Sequence, residues 1–160
     1  MRFIQIYDNS YNKITKLLVT REVQDLDYSF ELSRVADCSF NLYNDNDKIK
    51  PDNVLRRNNR VEVIEDGDVV WTGFIVTTDP RPKITTVKCK QLLGILQDRN
   101  TGSGKTLSGS ADQQFKNLID SVNSTEDTGI TFDPDNSDVD GSLDITYEDS
   151  DILRVLKDIA

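Results

Sequence analysis

Histidine is absent from the 160 residues. That removes Ser–His and Cys–His nucleophile pairs, imidazole acid–base catalysis and His-ligated zinc or iron together. Cysteine occurs twice, at Cys38 and Cys89, too few for the disulfide framework of a small secreted domain. Each stands in an alternating, strand-like run and reads as a reduced, buried thiol of a protein made in the cytosol. No apolar stretch approaches the ~18 residues that a membrane-crossing helix needs. The opening MRFIQIYDNS reaches Asp8 before any long apolar region, so no signal peptide is expected. Bases are outnumbered, 19 against 28 acids, for a formal net charge of −9. A field of that sign repels phosphate and argues against nucleic-acid partners.

The charge is unevenly placed. Residues 1–120 hold 17 acids and 17 bases, whereas residues 121–160 hold 11 acids and 2 bases and carry the whole excess. Hydrophobic residues make up 36%, a low share, but they come in periodic runs that can build a core.

Residues 1–95 read as β. Phe3–Tyr7 and Ile14–Thr20 flank a turn at Asp8-Asn9-Ser10, which predicts an opening hairpin. Leu26, Tyr28, Phe30 and Leu32 alternate with polar residues, as do Cys38, Phe40 and Leu42. Asn44–Asn59 is polar, contains Pro51 and reads as a loop with a helical turn near Asn53–Arg57. The strongest local signal is VEVIEDGDVVWTGFI, residues 61–75. Asp66-Gly67 suits a two-residue hairpin turn, whose central positions need positive φ. Gly73 inside the second arm points to a bulge or a close backbone approach. Ile84–Lys90 returns as a further strand, and the whole predicts an antiparallel barrel or sandwich.

The remainder changes character. Gln91–Asp98 reads as a short helical or extended segment, and Thr101–Gly109 as a Gly/Ser-rich loop. Ser110–Val122 is a predicted helix: Ser110 and Gln113 have capping-box spacing, and Phe115, Leu118, Ile119 and Val122 share one face. Gly129–Phe132 reads as a short strand, Asp133–Gly141 as an acidic loop, and Leu143, Ile145 and Tyr147 alternate again. Asp149-Ser150 should cap a second helix, Ser150–Ala160, with Ile152, Val155, Leu156 and Ile159 on one stripe. That stripe is expected to need covering by the barrel, by further sequence or by a partner. The fold class is therefore mainly β with two short helices, α+β overall. The barrel or sandwich is placed at residues 1–100; residues 101–160 supply a loop, a capped helix, an acidic loop, a strand and the start of a following helix.

Four groups of residues invite a chemical reading. TGSGKT, residues 101–106, has Arg99 where a phosphate-binding loop needs Gly, and no apolar strand leads in, so it is expected to be a flexible loop without nucleotide. In the acidic loop, Asn136, Asp138, Asp140, Gly141 and Asp144 match much of a calcium-loop spacing. Tyr147 stands where the bidentate Glu belongs, so the expectation is a solvated acidic turn. The alternative is a weak calcium site from Asp133, Asp135, Asp138, Asp140 and Asp144. Trp71 is read as core rather than as a sugar platform. Arg56, Arg57 and Arg60 read as a basic loop cluster that meets an acidic neighbouring surface.

The order of these runs carries a resemblance. The strand SFNLYN up to Asn44, then Asp66-Gly67 with the arm Trp71-Thr72-Gly73-Phe74-Ile75, the strand ITTVKCKQLL and the closing ITYEDSDILRVLKDIA together resemble tailed-phage baseplate hub or tail-tip proteins. These are related to the hubs of contractile tails and of type VI secretion spikes. The likeness covers about residues 25–160. It implies a tail-tube-like barrel that self-associates in a ring, a trimer for a hub or a hexamer if distal-tail-like. Neighbouring tail-tube or baseplate proteins would be its partners, with no nucleic acid and no membrane. The setting would be the virion tail tip, after synthesis in the host cytoplasm. No catalytic, cofactor-binding or metal-binding residue transfers, so no enzyme is expected. A β-sandwich binding module, weakly calcium-binding, is the alternative function.

Overall fold

A computed structural model describes the whole chain except residues 31–34, 126–127, 134, 136–140 and 160. The chain divides into two compact units, Met1–Gln91 and Leu92–Ala160.

The first unit contains strands β1 (Arg2–Tyr7), β2 (Lys13–Leu18), β3 (Val23–Tyr28), β4 (Asp37–Tyr43), β5 (Arg60–Glu65), β6 (Asp68–Pro80) and β7 (Ile84–Gln91). They form one seven-stranded antiparallel sheet in the order β2-β1-β5-β6-β7-β4-β3. The two end strands are consecutive in the chain, joined only by residues 19–22. Laid flat, seven strands at about 4.8 Å spacing would hold their outer members about 29 Å apart. Four linking residues reach at most about 18 Å even when extended. Here the link is also drawn in, because Arg21 and Glu22 N–H both donate to Leu18 O, at 3.1 and 2.8 Å. The sheet must therefore roll up. Accordingly, inward side chains of all seven strands meet in a single core, with Ile4, Ile6, Leu17, Val23, Phe40, Leu42, Val61, Trp71 and Val87 all buried.

Local chemistry accounts for the elements. Asp66 and Gly67 have φ of 52° and 107°, the left-handed pair that the β5–β6 hairpin needs. Gly73 is required by a close approach: a Cβ there would stand 2.1 Å from Lys90 O and 2.2 Å from Trp71 Cη2. Trp71 lies in the core, as its place in the sequence predicts. The loop between β4 and β5 folds differently from its reading. Its one helical turn is a 3₁₀ segment at Asp47–Ile49, capped by Asn46, rather than at Asn53–Arg57. Val54 turns inward into the core. Asn59, buried, holds that turn by donating through Nδ2 to Asn53 O (2.6 Å) and Val54 O (2.9 Å). At the other side of the sheet, β3 stops at Tyr28, and Phe30 is 62% exposed, stacked edge-on against Tyr28. Leu32 lies outside the described residues.

The second unit comprises α1 (Gly94–Gln97), β8 (Lys105–Ser110), α2 (Ala111–Asn123), β9 (Ser142–Tyr147) and α3 (Ile152–Ile159). Among its described residues it holds three helices where two are predicted. Lys105–Ser110, read as loop, is a strand paired antiparallel with β9, from Lys105↔Tyr147 to Ser110↔Ser142. Residues 128–133, read in part as a strand, form no strand among the described residues but pack: the Phe115 and Phe132 rings are 4.8 Å apart, and buried Thr128 donates through N–H and Oγ1 to Asn123 Oδ1. Ser110 caps α2 by accepting Gln113 N–H. The cap of α3 is Asp151 rather than Asp149-Ser150, with Arg154 N–H donating to Asp151 Oδ1 at 2.8 Å. Within this unit α3 contacts α1 and α2, and Ile152, Leu153, Val155 and Leu156 are buried. These residues of the apolar stripe are thus covered within the unit, because α1, which the sequence left ambiguous, forms and packs against α3; the Ile159 side chain lies outside the described residues.

Candidate functional site

The three arginines of the β4–β5 loop do not form one cluster. Arg56 and Arg57 are exposed on the turn, with Arg56 Nε donating to Asp52 O at 3.1 Å. Arg60 is the first residue of β5 and is buried, its guanidinium 4.4 Å from the centre of the Tyr11 ring. Strand alternation separates it from its neighbours. Val61 and Val63 point into the core, so Arg60 and Glu62 take the outer face.

Around Glu62 a compact polar network forms. Tyr7 and Tyr11 hydroxyls donate to its two carboxylate oxygens at 2.6 and 3.2 Å, and the two rings lie 5.0 Å apart. Gln5 donates through its side chain to the Tyr7 oxygen. Burial, then the hydrogen bond and charge of Glu62, push the Tyr7 phenol up to about 12. Sequence reading missed this network because its members come from β1, the following turn and β5, which meet only through the β1–β5 register Tyr7↔Arg60 and Gln5↔Glu62. A second tyrosine–carboxylate pair joins Tyr28 to Glu65, which also meets Arg2 Nε at 2.6 Å. Donating to Glu65 raises the Tyr28 phenol, and accepting that same bond lowers the Glu65 carboxyl.

The outer edge of β2 is dressed by side chains. Leu18 N–H donates to Glu22 Oε2 at 2.8 Å, while Lys48 Nζ, from the 3₁₀ turn, donates to Lys16 O at 3.1 Å and to Glu22. Burial pushes the Glu22 carboxyl up, but the Leu18 N–H and Lys48 outweigh it and hold the group below its usual range. Edge groups occupied in this way are poor templates for adding a further strand.

In TGSGKT the turn residues Gly102 and Gly104 have φ of 78° and 67°, and Lys105 opens a strand rather than a helix. The anion that meets this turn belongs to the chain: Gly104 N–H and Ser103 Oγ donate to Glu148 Oε2 at 3.0 and 3.2 Å. Of the calcium-loop residues, Asp133, Asp135 and Asp144 are exposed, and Asp135 N–H donates to Asp133 Oδ1 at 3.1 Å. Asn136, Asp138 and Asp140 lie outside the described residues. Among the described residues no three His, Cys, Asp or Glu side chains stand together as metal ligands. Cys38 and Cys89 are buried free thiols, and the structure brings them face to face as a cross-strand pair of β4 and β7.

Among the described residues, exposed features include the Arg56–Arg57 turn and the polar side chains of the paired strands β8 and β9. No protein-family model matches the chain, and no curated protein matches it by sequence. In fold it is similar to the tail protein from Neisseria meningitidis MC58, with a TM-score of 0.62 and 15% identity over 99% of this chain and 44% of that one. It is likewise similar to prophage tail protein gp18 from Listeria monocytogenes EGD-e, with a TM-score of 0.61 and 12% identity over 98% of this chain and 44% of that one. The chain spans less than half the length of either structure. At such identities the likeness is one of fold, and it joins this α+β chain to part of two tail proteins.

Proposed function

We propose that the chain is a structural part of a phage tail, assembling in a ring at the tail tip as a baseplate hub does. The observation that carries this reading is the fold likeness to two tail proteins over nearly the whole chain. Its charged groups fit the same picture. Glu22, Glu62, Glu65 and Glu148 are each occupied in joining one element to another, which suits a scaffold. Arg56 and Arg57 are exposed, while residues 121–160 carry the acidic excess. Head-to-tail contacts between ring subunits set one surface against a different surface of the next copy, so opposite charges can meet across each joint.

Light scattering across a salt series tests the proposal. The expected result is self-association, three-fold for a hub or six-fold for a distal-tail-like ring, or capture by a cognate tube protein. Either should weaken as salt shortens the Debye length below the ~8–10 Å of moderate ionic strength. Arg56→Glu with Arg57→Glu should weaken it further, and Lys105→Glu should not. A chain that stays monomeric at high concentration and low salt, and ignores the tube protein, overturns the reading.

A further inference from the structure

We propose that Cys38 and Cys89 are a redox latch, oxidised by a low-molecular-weight disulfide to an intramolecular bond that staples β4 to β7. Three observations support it. The two residues are direct partners in the β4–β7 register, Cys38↔Cys89. Both side chains turn into the same core, where each is 2% exposed. The Cys89 thiol is in hydrogen-bonding contact with that of Cys38.

The register also sets the spacing. At the two ends of the ladder Gln91 N–H donates to Ala36 O at 2.8 Å and Asn44 N–H donates to Lys83 O at 3.0 Å. Hydrogen-bonded and non-hydrogen-bonded pairs alternate along an antiparallel ladder, so Cys38 and Cys89 occupy a hydrogen-bonded pair, with Cα atoms about 5.5 Å apart. Disulfides span Cα separations of about 4.4–6.8 Å. The Cβ atoms of a hydrogen-bonded pair stand about 5.5 Å apart, beyond the about 3.5–4.5 Å of a disulfide, so the bond draws the two strands slightly together while keeping their register. A groove lined by Asp37, Ser39, Thr77 and Lys88 runs along the outer side of the same stretch of β4 and β7, and the inward thiols meet a reagent when these strands open locally.

The chemistry is two thiol–disulfide exchanges. One cysteine, as its thiolate, attacks a sulfur of glutathione disulfide and releases one glutathione thiolate, leaving a mixed disulfide. The other cysteine then attacks the protein sulfur of that mixed disulfide and releases the second. Overall, two protein thiols and one small disulfide become one protein disulfide and two small thiols. The segment between the cysteines holds all of β5 and β6, so the bond would close a covalent ring around the centre of the sheet. The latch does not depend on the tail reading.

The test uses the full chain, folded, with excess glutathione disulfide. The expected product is a monomer lighter by two hydrogens, with no free thiol and a Cys38–Cys89 cross-linked peptide, formed at a rate independent of protein concentration and reversed by dithiothreitol. Cys89→Ala should end as a free or glutathione-capped Cys38. Two free thiols after a day, under conditions that oxidise the urea-unfolded chain, would overturn the proposal. So would glutathione adducts without a cross-link, or disulfide-linked dimers. Because these results come from the unaltered protein, they hold whether or not the variant folds.

Discussion

Gly73→Ala is the sharpest perturbation available. Gly73 faces the core between the indole of Trp71 and the backbone of β7, and a Cβ there would meet Lys90 O at 2.1 Å, Trp71 Cη2 at 2.2 Å and Trp71 Cζ3 at 2.7 Å. Neither neighbour yields easily. Lys90 stands in ladder register with Phe74, so moving its carbonyl disrupts β6–β7 pairing. Trp71 is 2% exposed among close-packed side chains and must leave its rotamer to make room. Overpacking of a core commonly costs about 1–3 kcal/mol, and two simultaneous clashes, one with backbone, place this case at about 3 kcal/mol. For a chain of this size that lowers the melting temperature by about 6–12 °C. Trp71 is the chain's one tryptophan, so its fluorescence reports both the unfolding transition and the displacement, as a red shift in the folded state. Gly67→Ala is the control: φ there is 107°, but nothing lies within 4 Å of the new Cβ. It should cost about 1–2 kcal/mol through backbone conformation alone and leave the emission maximum in place. A loss below about 1 kcal/mol in Gly73→Ala, with unchanged emission, would refute the steric argument.

Asn59→Ala leaves Asn53 O and Val54 O without their buried donor, and urea denaturation should record a loss of about 1–3 kcal/mol. The Tyr7 phenol stands at about 12 in the fold against its usual 10.0. A folded-state pKa raised in this way means that Tyr7 stabilises the protein fully below pH 10 and loses that contribution as pH climbs toward about 12. Thermal melts across that window should show the decline, and Tyr7→Phe should flatten it.

What could be read from the residues was local. Asp66-Gly67 states its own turn, and the alternation of Cys38, Phe40 and Leu42 states its own inward face, because each signal lies within a few neighbours. Where the reading failed, the partner was distant. Lys105–Ser110 is rich in Gly and Ser and has no strand character of its own; it becomes β8 because β9, far along the chain, pairs with it. Arg60 sits beside two exposed arginines in sequence, yet the parity of β5 places it under Tyr11. The Cys38–Cys89 pairing was equally hidden, since only the register between β4 and β7 brings the two together.

The strand order also dictates a sequence of events during folding. β5, β6 and β7 follow one another along the chain and pair as neighbours, so this meander closes only short loops. The hairpins β1–β2 and β3–β4 are equally local, but docking them means joining β1 to β5 and β4 to β7 across long stretches of chain. Such closures are entropically expensive and set the pace of β-rich folding. Residues 19–22 tie the two hairpins together, so whichever docks first holds the other close to its own edge of the meander. The second long closure is thereby converted into a short one. Lengthening that link with glycines should slow folding while leaving the unfolding rate nearly unchanged, as measured by stopped-flow Trp71 fluorescence.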